Sequence, residues 1–365
     1  APSKHSWKPS CDDLPPKLRN QYLEKPNTVA ELLIQNQVGA REDLADLIAV
    51  ADQKSTPLLS MARKSKDPTN PLFSWLVDNL EEPVLTGVLS NADATTFSNP
   101  AAGRQRLYGR IQKLRRLPKI DDLAESVSDV AGIGRKREMA RAVTKSLQEI
   151  ARDLESVFCS DRDSTEQSGA TPFTTRGLGS WISSSAQADS ATAVPAAYRT
   201  PAASISTTGT SSITDSTIQA LLQSLYEQTG KVKSYTLLCG PNLKRRFTGF
   251  QQTQFGSDSA GSSVRLFNQD SADASYYAKV DLFVGDFGEL VLTPSLFLAK
   301  DQVAASQLRR GYILDMDAVH IRYNRRPRYM PLLDEGGGPR GIVDTIAGLQ
   351  VDNPLMFGKI ASTAD

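Results

Sequence analysis

The sequence predicts an α+β protein in which an N-terminal arm and an extended β-hairpin project from a body of one long helix and a mixed set of strands and helices. Three observations predict it. Prolines interrupt the first residues (Pro2, Pro9, Pro15, Pro16, Pro26) and apolar side chains are sparse before Val29. Residues 104–120 contain no acidic side chain and read as a basic strand returning against an alternating strand at 73–77. From Arg137, apolar residues recur at steps of three and four as far as Val157.

Each element follows in turn. Pro-rich 1–36 is an arm that needs another surface to order it. Arg41–Ala51 offers a short amphipathic helix on Leu44, Leu47, Ile48 and Ala51, which Pro57 closes off. Phe73, Trp75 and Val77 alternate with Ser74, Leu76 and Asp78 as the first strand of the hairpin. The return, Arg104–Ile120, carries Arg104, Arg106, Tyr108, Arg110 and Gln112 in one phase and Leu107, Gly109 and Ile111 in the other. A two-stranded ribbon is barely stable alone in water, so one this long and charged is expected to lie against a partner.

The long helix is expected from about Gly134 to Phe158, with Gly132 and Gly134 at its beginning. Ala140, Val143, Leu147, Ile150, Leu154 and Val157 form its apolar face, and Arg141, Lys145, Glu149, Arg152, Asp153 and Glu155 its solvent face. Ser160–Thr214 is rich in Ser, Thr, Ala and Gly, with Trp181, Ile182, Tyr198 and Ile205 as anchors, and reads as long loops with short strands. A mixed domain follows. Thr214 or Asp215 caps a helix with apolar face Ile218, Leu221, Leu222, Leu225 and Tyr226, ended by Gly230. Tyr235–Cys239 is a buried strand, and Pro241 starts a helix through Phe247 and Phe250. Val264–Phe267 and Val280–Val284 are strands, the latter turning through Gly285, Asp286 and Gly288 into Leu290–Leu292. Tyr312–Leu314 and Val319–Tyr323 read as a strand pair leading into the basic run Arg322, Arg325, Arg326, Arg328, after which come Gly336–Gly338 and Ile342–Val351.

Composition excludes several classes. The 365 residues are 39% hydrophobic and 23% charged, with a formal net charge of +1, unlike a chain that lives by wrapping nucleic acid. No run is apolar enough to span a membrane, so no membrane partner is expected. Residues 1–10 lack the apolar stretch of a secretory signal, and a start at Ala1 is what methionine removal or trimming leaves. Cys11, Cys159 and Cys239 form no CxxC pair and read as reduced thiols, the last two buried. His5 and His320 are too few for a zinc cluster, and no metal or cofactor is expected.

No catalytic constellation emerges. Asp286-Phe287-Gly288 spells the kinase metal-binding tripeptide, but neither a glycine-rich phosphate loop nor an HRD loop accompanies it, so it reads as a hairpin turn. Gly336–Gly338 has no GxSxG elbow and reads as a loop. The basic residues have two readings, a solvated sheet face, or contact with acidic groups of a neighbouring subunit or with nucleic acid, which the guanidinium fork suits. The interface candidates are Trp75, Glu81, Glu82, Arg104, Arg106, Arg110, Lys113, Arg115, Arg116, Arg325, Arg326 and Arg328. Near-neutral total charge with segregated signs suits self-association.

The order of arm, hairpin, strut helix and mixed domain resembles the Hong Kong 97-type capsid fold. The wording is similar to the major head proteins of the SU-ten-like group of tailed phages, from about Val38 to Ile360. The segments that carry it are GAREDLADLI, TPLLSM, AAGRQRLYGRIQKLRRLPKIDDLAESVSDVAGIGRKREMARA, TTRGLGSWISSSAQ, LCGPNLKRRF, RRGYILDMDAVHIRYNRRPRYMPL and GGGPRGIVDTIAGLQVDNP. The resemblance implies an arm at 1–70, an extended loop at 71–122, a peripheral domain with the spine helix at 123–195, an axial domain at 196–317, and a return to the peripheral domain at 318–365. It implies a non-enzymatic subunit of a virion capsid, assembled in the host cytoplasm. Identical copies would form hexamers and pentamers of an icosahedral shell around double-stranded DNA, touched without sequence preference, with decoration or portal proteins as further partners. The alternatives are a DNA-binding protein using the basic ribbon, and a nanocompartment shell of the same fold.

Overall fold

The computed structural model describes residues 55–95, 97, 99, 101–127, 137–209, 212–249, 280–298 and 310–361, and the backbone of 252–254 and 263–265. The expected helix Arg41–Ala51, Cys11, His5, Gly132, Gly134, Phe250 and Phe267 lie outside the described residues.

The helices are α1 (Pro57–Met61), α2 (Asp122–Val127), α3 (Glu138–Phe158), α4 (Leu178–Trp181), α5 (Asp215–Thr229) and α6 (Pro241–Gly249). The strands are β1 (Arg63–Ser65), β2 (Leu72–Val77), β3 (Gln105–Arg110), β4 (Gln112–Arg116), β5 (Ile205–Ser206), β6 (Lys233–Cys239) and β7 (Gln252–Gln254). They continue with β8 (Ser263–Arg265), β9 (Leu282–Gly285), β10 (Gly288–Pro294), β11 (Gly311–Leu314), β12 (Val319–Leu332), β13 (Arg340–Val351) and β14 (Gly358–Ile360). A four-stranded sheet has the order β1-β12-β13-β4, and a six-stranded sheet the order β5-β14-β11-β6-β10-β9. β2 pairs with β3, and β7 with β8, as separate two-stranded ribbons.

α3, at 21 residues about 31 Å long, lies against β13 and β4. Ile150, Leu154 and Phe158 on its inner face join Leu178, Trp181, Val343, Ala347 and Leu349 in one buried cluster. Ala140, expected on that face, is exposed. Glu155 departs further from expectation: placed with the solvent side chains, it is 0% exposed. Its two oxygens accept the backbone N–H groups of Leu58 (2.8 Å) and Leu59 (2.9 Å) at the start of α1. Those donors have no partner within so short a helix, and the carboxylate supplies it. Burial pushes the Glu155 carboxyl up to about 7, against the two N–H bonds that favour its charged form.

The second cluster forms around the six-stranded sheet, from Ile218, Leu221, Leu222 and Leu225 of α5, Leu237 and Cys239 of β6, Leu243 and Phe247 of α6, and Leu290 and Ile313. α5 begins with a capping box between Thr214 and Thr217 and ends at Gly230, whose φ of 63° favours glycine. Asp286 and Phe287 form the turn between β9 and β10. Cys159 and Cys239 are buried free thiols, and burial drives the Cys239 thiol up to about 12. His320 meets Asp352 at 3.0 Å.

Two expectations about pairing fail. β11 and β12 do not pair; they belong to different sheets, with the turn Met316–Ala318 passing the chain from one to the other. The basic return is not one strand either. It breaks at Ile111: β3 pairs with β2, and β4 pairs with β13 in the other sheet. A strand that is half ribbon and half sheet anchors the ribbon to the body. β14 leaves β12 and β13 and inserts between β5 and β11.

Candidate functional site

The root of the ribbon is packed on the chain's own body. Phe73 lies against Gly109 and Gly348, where a Cβ would meet its ring at 2.6 Å and 2.9 Å respectively. Arg322 covers the ring at 5.1 Å from its centroid, and Trp75 stacks beside it at 5.8 Å. Trp75 also approaches Trp181 at 5.6 Å and donates from Nε1 to the Asp352 carbonyl at 3.0 Å. Trp75 is therefore half-buried against its own body.

Arg110, expected on an open basic face, is 3% exposed. Its guanidinium donates to Asp189 and Glu166, each at 3.0 Å. Beside it, Arg176 donates to Asp163 (2.6 Å) and to the Thr192 carbonyl (2.9 Å). Burial lowers the Arg176 pKa, with Asp163 opposing the change. Burial alone would raise the Asp163 and Asp189 carboxyls, but N–H, hydroxyl and guanidinium donors outweigh it and hold both below the usual range. This network ties the ribbon root to the loops at 160–192. The alternating pattern mispredicts Arg110 because the chain changes sheets at the next residue.

Arg116 also has a partner within the chain. It forks onto both Asp153 oxygens of α3 at 2.7 and 2.8 Å, which raises its pKa. Arg104 pairs with Asp78 at 3.2 Å across the ribbon's far end. Arg106 and Arg326 are exposed.

Four of the candidates come together on one sheet face. Lys113 lies opposite Ile346, which lies opposite Arg325; Arg115 lies opposite Asp344, which lies opposite Arg328. Cross-strand partners point the same way, so Lys113, Arg115, Arg325 and Arg328 share a face with one carboxylate, Asp344. Asp344 is 1% exposed, with Arg325 at 2.7 Å and Arg328 at 3.6 Å from it. Lys113 and Arg115 are exposed and have no ion-pair partner among the described residues. They edge a cleft of about 510 Å³ walled by Pro71, Ile111, Phe173 and Ile346. Sequence reasoning missed this convergence because the two basic runs are far apart in the chain.

Between the ribbon strands, residues 78–95 are exposed throughout. Leu80, Val84, Leu85, Val88, Leu89 and Phe97 are 77–100% exposed, and Glu81 and Glu82 sit among them. Within one chain these large apolar side chains are left uncovered. The unsatisfied element is thus this loop, with the ribbon as its mount. Among the described residues no group of His, Cys, Asp and Glu could hold a metal, and no helix is long and apolar enough to cross a membrane.

The family model of the SU10 major capsid protein matches residues 26–364. No curated protein sequence matches the chain. Solved structures share its fold. The capsid of an empty GTA particle aligns at a TM-score of 0.58 and 12% identity, covering 91% of this chain and 98% of the other. A solved structure from Gordonia phage Cozz gives 0.55 and 13%, covering 93% and 98%. The capsid of the cyanophage P-SCSP1u gives 0.53 and 13%, covering 91% and 97%. The fold is the Hong Kong 97-type, as the sequence predicts. Neither the free-standing DNA-binding reading nor the nanocompartment is favoured. The chain belongs to the SU10 major capsid protein family and is a structural subunit of a tailed-phage shell.

Proposed function

We propose that identical copies of this chain form the hexamers and pentamers of an icosahedral shell, assembled in the host cytoplasm around double-stranded DNA. The observation that carries the reading is the loop between β2 and β3. Its apolar side chains are presented to water on a rigid mount, an arrangement that a second copy would relieve. Repeated by symmetry, modest contacts of this kind add up to a stable shell. The role needs no catalytic group, and an arrangement of buried ion pairs that pins the loop's mount supports it.

On this reading α3 with β12 and β13 belongs to the peripheral domain, 123–195 completed by 318–365, whose four-stranded sheet also takes in β1 from the arm segment and β4 from the loop segment; the six-stranded sheet is the axial domain at 196–317, which β14 also enters. The loop is 71–122 and the arm 1–70. Portal and decoration proteins are further partners, and exposed arginines such as Arg326 are candidates for non-specific contact with packaged DNA.

Electron microscopy of the expressed chain tests this. Closed particles of uniform diameter are expected. Val84→Asp with Leu85→Asp should give a soluble, folded chain that forms none. A wild-type chain that stays a compact monomer at high concentration would refute the proposal.

A further inference from the structure

Resting on the shell reading, we infer that the cleft edged by Lys113 and Arg115 is the seat for residues 80–85 of a second copy, with Glu81 and Glu82 of that copy against the cationic sheet face.

Chemistry on both sides points to this pairing. The cleft walls are apolar (Pro71, Ile111, Phe173, Ile346), and its edge is basic. Behind the edge stand Arg325 and Arg328, so the face carries four cations against the single carboxylate of Asp344. Residues 80–85 have the complementary composition: Leu80, Val84 and Leu85 are 82–100% exposed, and two adjacent carboxylates lie between them. A phosphate backbone would satisfy the cations but leave the apolar walls without a partner. The acidic and apolar segment satisfies both.

The occupant must come from another copy. The cleft lies at the root of the ribbon, beside Pro71 and Ile111, whereas the loop leaves from the opposite end, after Val77. β2 runs about 17 Å between those ends. Glu82 stands five positions beyond Val77. Reversing direction uses about two of these residues, and the remaining three reach back only about 10 Å. The chain's own Glu81 and Glu82 are accordingly exposed and make no ion pair with Lys113 or Arg115 among the described residues, which leaves the cleft to another copy.

The test is a charge exchange read by particle yield. Lys113→Glu with Arg115→Glu, and separately Glu81→Lys with Glu82→Lys, should each lower the yield about tenfold or more, and all four together should restore it to within about threefold. A second measurement does not depend on yield. Gln167 also lines the cleft, and in a Cys11→Ser background Glu82→Cys with Gln167→Cys should give subunit-to-subunit disulfides in oxidised particles, while neither single change should. Wild-type particles, together with an unrescued quadruple variant and no disulfide, would overturn the seat while leaving the shell reading standing. Normal assembly of Lys113→Glu with Arg115→Glu, accompanied by loss of salt-sensitive DNA retention, would overturn it in favour of a nucleic-acid face. Absence of any wild-type particles would remove both readings.

Discussion

The Arg110 guanidinium meets the Asp189 carboxylate at 3.0 Å, with the arginine side chain 4% exposed and the aspartate 13%. This contact joins the last residue of β3 to a loop about eighty positions later, so it fixes the ribbon's exit from the body. Removing one member of a buried pair leaves the other uncompensated, at a cost of about 3–5 kcal/mol. Arg110→Ala is therefore expected to lower the unfolding midpoint sharply in thermal or urea denaturation. Arg115→Ala, on the open face, should change stability by no more than about 0.5 kcal/mol.

Glu155 makes the free chain's stability depend on pH. Its folded-state pKa, raised from the ordinary 4.5 to about 7, means the folded chain binds that proton more tightly than the unfolded one. Its contribution therefore falls as pH rises from about 4.5 through about 7, by roughly 3 kcal/mol in all. Glu155→Gln removes the titration. Its stability relative to wild type should improve by up to that amount between pH 4.5 and pH 8 in parallel melts. A difference that does not change with pH would contradict the assignment.

Two glycines beside Phe73 should respond differently to the same added methyl group. At Gly109 the nearest atoms a Cβ would meet belong to the Phe73 ring, at 2.6 and 2.8 Å. At Gly348 it would also meet the Arg110 carbonyl, at 2.8 Å. Each alanine is expected to cost about 1–3 kcal/mol. Adding Phe73→Leu should recover most of the loss for Gly109→Ala but not for Gly348→Ala, because a backbone oxygen cannot move aside. Unfolding midpoints of the four variants decide it.

The loop between β2 and β3 should also report the state of assembly. With residues 78–95 exposed, a protease of broad specificity is expected to cut free subunits there first. In intact particles the same sites should be cut at least about tenfold more slowly. Mass spectrometry of the fragments locates the cleavage.

Local chemistry was the legible part of the sequence. The helix start at Thr214 or Asp215, the stop at Gly230 and the inner positions Ile150 and Leu154 each depend on neighbours a few residues away, and the structure has all of them, with Thr214 as the cap. What depends on distant partners was not. Glu155 looked like one more charge on a solvent face because its partners, the N–H groups of Leu58 and Leu59, lie almost a hundred positions earlier. A signal was present: three of its four helical neighbours, Ala151, Phe158 and Cys159, are uncharged, Arg152 being the exception. The break at Ile111 was hidden because basic residues continue on both sides of it, although Gly109 already interrupts the strand pattern. The cationic face depends on β12 and β4 flanking β13, a topology that spacing along the chain does not reveal.

β14 occupies an interior position of the six-stranded sheet, between β5 and β11, although it comes from residues 358–360. β11, β6, β10 and β9 pair with one another directly, but β5 therefore cannot join the sheet on a ribosome-bound chain until residues 358–360 have emerged from the exit tunnel. At about 5–20 residues per second, the earlier strands wait many seconds with that slot empty. A chain cut short before residue 358 thus lacks the strand that ties β5 into the sheet.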